Sequence, residues 1–210
     1  VVTNRYSLIQ FSDVFLPIIE ELGDLTGFVS YYFGKAIVGV FPQDETMKLK
    51  EGNLGILLMN SVDKSWAIKV LFAVDTKEGL VVLPKHVTGY ARKHVGNAKA
   101  DIEGYLEFLN EVKVTWKTIV NKLSTKELTN EVLDDVLKKV KLGKKEEREV
   151  REKIDAKQVK LNGDKLSLWD LFIEVIKAIN RKAYKSEIHR TAKLKRVCDV
   201  VFDYAIAEEI

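Results

Sequence analysis

The spacing of apolar residues changes period once along this chain, near residue 100, and that change limits the folds open to it. Before it, short β-branched and aromatic runs alternate with turn residues, at 27–33, 36–41, 54–59, 66–74 and 80–83. In 66–74, Trp66, Ile68, Val70 and Phe72 share one face, while Ala67, Lys69, Leu71 and Ala73 share the other. That period of two belongs to a strand, and its one bulky face predicts a sheet covered by helices from that side. The links between runs are too short for parallel crossovers, so an antiparallel meander of about five strands is expected. Gly34-Lys35 supplies the first two-residue turn, glycine leading.

After the change the period is helical. Ile102, Tyr105, Leu106, Leu109, Val112, Trp116, Ile119, Val120 and Leu123 make one long stripe. Ser124 with Glu127 reads as a capping box for a helix carrying Leu133, Val136, Leu137 and Val140, which Gly143 ends. The charge run 144–160 is a solvated helix or a connector. Ser167 with Asp170 opens a helix through Leu171, Phe172, Val175 and Ile179, and Leu194, Val197, Cys198, Val201, Phe202 and Ala205 stripe the last one. A short helix with Val14, Phe15, Ile18, Ile19 and Leu22 precedes the strands. The expected fold is therefore α+β, an antiparallel sheet of about five strands followed by, and packed against, a helical C-terminal half. Residues 1–100 hold the first helix and the sheet, residues 101–210 the helical half, within one globular domain.

Apolar residues make up 46% of the 210-residue chain, enough to bury a sizeable core. No apolar run reaches the length that spans a bilayer, so no membrane partner is expected. The single Cys198 excludes an intrachain disulfide and points to a reducing cytoplasm, that of the host cell if the protein is viral. The chain starts at Val1 without an initiator methionine, as a trimmed chain with sequence upstream would. Abundant Lys and Glu beside scarce Cys and Met lean toward a thermophilic, archaeal source.

The familiar catalytic and nucleotide-binding motifs are missing: GxxxxGK[ST], GxGxxG, HExxH, GxSxG and CxxC. His86, His94 and His189 with one cysteine make a sparse ligand set, so no metal, cofactor or catalytic residue is assigned. Cys198, on an apolar stripe, reads as a buried thiol, and Asp199 with Asp203 as a solvated face.

Charge is more informative. Residues 1–84 carry 7 basic and 10 acidic side chains, residues 85–210 carry 27 and 21. Two segments concentrate the excess. The first, 85–99, holds Lys85, Arg92, Lys93 and Lys99 with no acid. The second, 177–196, holds Lys177, Arg181, Lys182, Lys185, Arg190, Lys193, Lys195 and Arg196 against Glu187 alone. Acids interleave with bases in 144–160 but not in 177–196, and unrelieved like charge calls for a partner anion. These twelve cations are the candidate nucleic-acid contacts, DNA ahead of RNA, with Tyr31, Tyr32 and Phe33 as a stacking platform. On this reading Arg190, Lys193 and Arg196 are exposed charges whose loss leaves stability unchanged. The competing reading is a solvated, charge-rich face of thermophile type.

Several segments in order, Asn4-Arg5-Tyr6, Phe33-Gly34-Lys35, 53–70, 92–97 and 167–172, together resemble a phage- and plasmid-borne family, the domain of unknown function numbered 932. The arginine–cysteine–asparagine motif that family often carries after its strands is missing from 75–84. The resemblance implies a virus or plasmid setting and no particular activity. The order of elements also resembles that of single-strand-annealing proteins, a likeness of fold alone. The expected function is nucleic-acid binding for a mobile element, in recombination or single-strand handling. The alternative is a non-catalytic interaction factor acting on a host or replication protein. Either is compatible with a homo-oligomer.

Overall fold

The computed structural model describes residues 16, 24–33, 35–61, 69–84, 108–161 and 165–206. Among these residues five strands pair in sequence order into one antiparallel sheet: β1 (Leu25–Tyr32), β2 (Lys35–Pro42), β3 (Gly52–Ser61), β4 (Lys69–Thr76) and β5 (Gly79–Val82). Among the described residues five helices follow: α1 (Leu109–Thr125), α2 (Asn130–Val140), α3 (Lys144–Lys160), α4 (Leu168–Arg181) and α5 (Glu187–Ile206). The α+β architecture expected from the change of period is the one observed. The predicted first helix, Trp66, and the stripe residues Ile102, Tyr105 and Leu106 lie outside the described residues.

Two-residue turns make the first and last links of the meander. Tyr32 pairs with Lys35, so the first turn is Phe33-Gly34, one residue earlier than expected. Phe33 takes the first turn position at φ 46°, a conformation that a bulky side chain rarely adopts. The last turn is Lys77-Glu78, closed by Thr76 and Gly79 facing each other. Gly79 has φ 135°, and a Cβ there would sit 1.5 Å from Asn180 Nδ2. The contact is close because Asn180 Nδ2 donates to the Glu78 carbonyl at 2.7 Å, docking the end of α4 on that turn.

The expectation of one covered face is corrected. Val70 through Val74 are all buried, so β4 is covered on both sides, and the same holds for most of β2 and β3. Side-chain size alternates along β4, but burial does not. On one side the Phe72 ring meets Phe108 at 6.0 Å; on the other, α5 packs on β1, β2 and β5. Sheet and helix residues share one continuous apolar cluster. Its largest piece is aromatic: Trp116 of α1, Trp169 and Phe172 of α4 and Phe202 of α5, with centroids 5.3–6.5 Å apart. Trp116 Nε1 donates to Glu51 Oε2 at 3.0 Å, which ties α1 to the start of β3.

Helix ends follow local chemistry, with two corrections. The Ser167–Asp170 capping box forms as expected: Asp170 N–H donates to Ser167 Oγ at 3.2 Å and Ser167 N–H to Asp170 Oδ2 at 3.1 Å. Ser124 caps nothing, because it lies in the last turn of α1; the N-cap of α2 is Thr129, whose Oγ1 accepts from Val132 N–H. Gly143 does not end α2 but caps α3, while Lys141, at φ 56°, closes α2 with its N–H on the Leu137 carbonyl. The run 144–160 is a full helix, anchored by the buried Val150 and Ile154.

Candidate functional site

The second basic segment spans the end of α4, a short link and the first half of α5. It looks unrelieved in sequence because its acids come from elsewhere in the fold. Lys182 pairs with Glu146 and Arg181 with Glu149, both acids on α3. Lys177 lies 3.3 Å from Glu174, and Lys195 lies 2.6 Å from Asp199. Arg190 Nε donates to Glu187 at 2.9 Å. The hydrogen bond from the Lys182 ammonium pulls the Glu146 carboxyl below its ordinary range. The expectation that 177–196 lacks acids to offset it is therefore corrected: the offsetting acids are brought in by α3, α4 and α5.

Lys193 and Arg196 do something else. Lys193 Nζ donates to the Val140 carbonyl at 2.9 Å and also to the Lys141 carbonyl, and Arg196 Nε donates to the Lys139 carbonyl at 3.0 Å. These carbonyls are the unsatisfied end of α2, where the helix dipole is negative. The two cations are thus a C-terminal cap supplied by another helix. Burial, then Arg196, Lys182 and Lys141, hold the Lys193 ammonium below the ordinary lysine range. Lys185 is exposed and has no ion pair among the described residues. Lys85, Arg92, Lys93, Lys99, His86 and His94 lie outside the described residues.

What remains is a shallow depression of about 550 Å³ lined by Lys182, Tyr184, Lys185, His189, Lys193 and Arg196. Its floor is partly aromatic. The Lys182 ammonium stands 5.6 Å from the Tyr184 ring centroid, and Ser186 Oγ lies 2.7 Å from His189 Nδ1. The His189 ring in turn meets Tyr32 edge-on at 5.4 Å, and Tyr32 meets Phe33 at 4.5 Å. Phe33, at the turn, is 79% exposed. The fold thus sets an exposed aromatic turn beside the basic start of α5. Tyr184 and His189 were not assigned from sequence, although an aromatic and an imidazole within a lysine- and arginine-rich segment were the available signal.

Other candidates carry less chemistry. Cys198 is buried, and burial pushes its thiol up to about 12, which leaves it protonated and unreactive. Asp199 is held by Lys195 rather than facing a cation with Asp203. Among the described residues, no group of three His, Cys, Asp or Glu side chains is placed to hold a metal ion. No described helix is long and apolar enough to cross a membrane. No known protein family, curated protein or solved structure matches the chain.

Proposed function

We propose that this protein binds nucleic acid, single strands ahead of duplex, as a non-catalytic factor of a virus or plasmid. The Tyr32–His189 contact carries the reading, because it joins the aromatic turn of β1 and β2 to the cationic surface of α5. Single-strand binding needs that pairing: rings on which bases stack and cations that follow the phosphates. Phe33 supplies the ring, and Lys185, Lys193 and Arg196 the nearest cations, with Lys182 shared with Glu146. A phosphate among Lys182, Lys193 and Arg196 would relieve their mutual repulsion. Lys177, Arg181, Arg190 and Lys195 remain candidate contacts that would have to exchange a protein carboxylate for a phosphate. The mobile-element setting rests on the family resemblance.

The test is fluorescence anisotropy with labelled oligonucleotides, single-stranded and duplex, across a salt series. With about three phosphate contacts, log affinity should fall against log salt with a slope near −2 on single strands, about −0.7 per contact. Lys185→Ala should flatten that slope without touching stability, and Phe33→Ala should weaken single-strand binding by about 1–3 kcal/mol for a lost stack. Absence of binding at low salt defeats the reading.

A second reading, a protein-interaction factor, is favoured by β1 itself. This edge strand pairs with β2 over eight residues, contains no charge or proline, and exposes Val29 (75%) and Tyr31 (63%). The opposite edge, β5, has only four residues and is covered by α4 and α5. Long uncharged edges accept another strand. Sedimentation of wild type and Val29→Lys separates the readings: an oligomer dissolved by the lysine, with nucleic-acid binding absent, would put this one first.

A further inference from the structure

A second concavity, of about 620 Å³, lies away from the basic helix, between the start of β3, the β4–β5 turn and helices α1, α3 and α4. Its size falls within the range of small-molecule sites. One wall is apolar and flat, formed by Trp169 and Ile173 of α4 and Val120 of α1. Four lysines line it from separate parts of the fold: Lys48, paired with Glu45, and Lys50 before β3, Lys77 in the β4–β5 turn and Lys157 on α3.

Two of the three carboxylates in the same lining are firmly held. Glu51 Oε2 accepts from Trp116 Nε1 at 3.0 Å. Asp170 accepts from the Ser167 backbone N–H at 3.1 Å, from its hydroxyl at 2.6 Å and from Lys157 at 3.3 Å. Among the described residues, the Glu78 carboxylate is met only by Lys77, at 3.8 Å. Lys50 has no ion pair among the described residues, and Lys77 is bound so loosely that it can turn to another anion. The cleft therefore sets an indole and several lysines in one lining, with Lys50 unpaired among the described residues and Glu78 the one loosely held carboxylate.

We propose that this cleft binds a planar aromatic anion of mononucleotide size, its ring against Trp169 and its anionic group toward Lys50 and Lys77. An aromatic ring on the indole excludes water from an apolar wall that is now half-buried, and a ring–ring contact favours planar ligands over aliphatic ones. The lysines select for charge, as point donors to a phosphate do. This site is independent of the α5 surface, so either can fail without the other.

The experiment titrates the whole chain with AMP, adenosine and inorganic phosphate, followed by tryptophan fluorescence and by calorimetry. Saturable binding of AMP, tighter than adenosine or phosphate alone, is expected. The exposed pair Lys50→Ala with Lys77→Ala should weaken AMP about tenfold and leave the thermal midpoint unchanged. Lys185→Ala with Arg196→Ala should leave AMP binding as it is. Lack of saturation with AMP, equal binding of adenosine, insensitivity to the Lys50 and Lys77 changes, or loss on changing Lys185 and Arg196 would each overturn the proposal.

Discussion

Replacing both Lys193 and Arg196 by alanine should destabilise the protein, although both are surface cations. The structure gives the magnitude. The two side chains satisfy carbonyls of Lys139, Val140 and Lys141 at the end of α2, with distances of 2.9 Å and 3.0 Å for the bonds to Val140 and Lys139. A hydrogen bond from a charged donor contributes about 1.5–3 kcal/mol where it is buried, and a cation at a helix C-terminus about 0.3–1 kcal/mol where it is exposed. Lys193 is half-buried and Arg196 exposed, so the lower end applies to both. Water can reach the freed carbonyls, and the repulsion between the two cations disappears with them. A net loss of about 1–2 kcal/mol for the pair follows, or about 2–8 °C in Tm for a chain of this size. Urea denaturation of the double variant measures it, with Lys185→Ala as a control that should stay within about 0.5 kcal/mol of wild type. A double variant as stable as that control would refute the cap. The same measurement protects the binding experiment, because weaker nucleic-acid binding by the double variant counts only while the protein remains folded.

Phe172→Ala should cost about 3–5 kcal/mol, since the ring is fully buried and lies 5.3 Å from both Trp169 and Phe202; a loss below about 1 kcal/mol in chemical denaturation would contradict the aromatic cluster. Acid should weaken the fold through α4. Burial pushes the Glu174 carboxyl up, but Lys157 at 3.1 Å and Lys177 at 3.3 Å outweigh it and hold the group below its ordinary 4.5. A carboxyl lowered on folding stabilises above its unfolded value and loses that contribution as the pH falls through its native one. Stability should therefore decline below about pH 4.5, and Glu174→Gln should flatten that decline in pH-dependent denaturation.

Patterns that act over a few residues were legible in the sequence. The period of two placed β2 and β3 to within two or three residues, and the period of 3.6 placed α4 and the second half of α5. The Ser167–Asp170 cap was readable because both partners lie three residues apart. Local signals failed where two sites competed. Ser124–Glu127 has the spacing of a capping box, yet the stripe of α1 runs on through Leu123 and keeps Ser124 helical, leaving Thr129 to begin α2. Gly34 was placed first in the β1–β2 turn by its own preference, but the register of Val29 against Val38 and Tyr31 against Ala36 puts Phe33 there instead. Pairing along eight residues outweighs the strain of one.

Charge was the property least legible. A net charge counted along 177–196 cannot register Glu146 and Glu149, which lie some thirty residues upstream and meet Lys182 and Arg181 only because α3 packs against α4. The same packing turns a run of like charges, a repulsive arrangement in an isolated helix, into a set of ion pairs. It also separates cations by role: five close ion pairs, Lys193 and Arg196 close α2, and Lys185 is left over. An anion-binding surface on this fold therefore depends on the few cations without a carboxylate of their own, at α5 and at Lys50, rather than on the density of lysine and arginine along the chain.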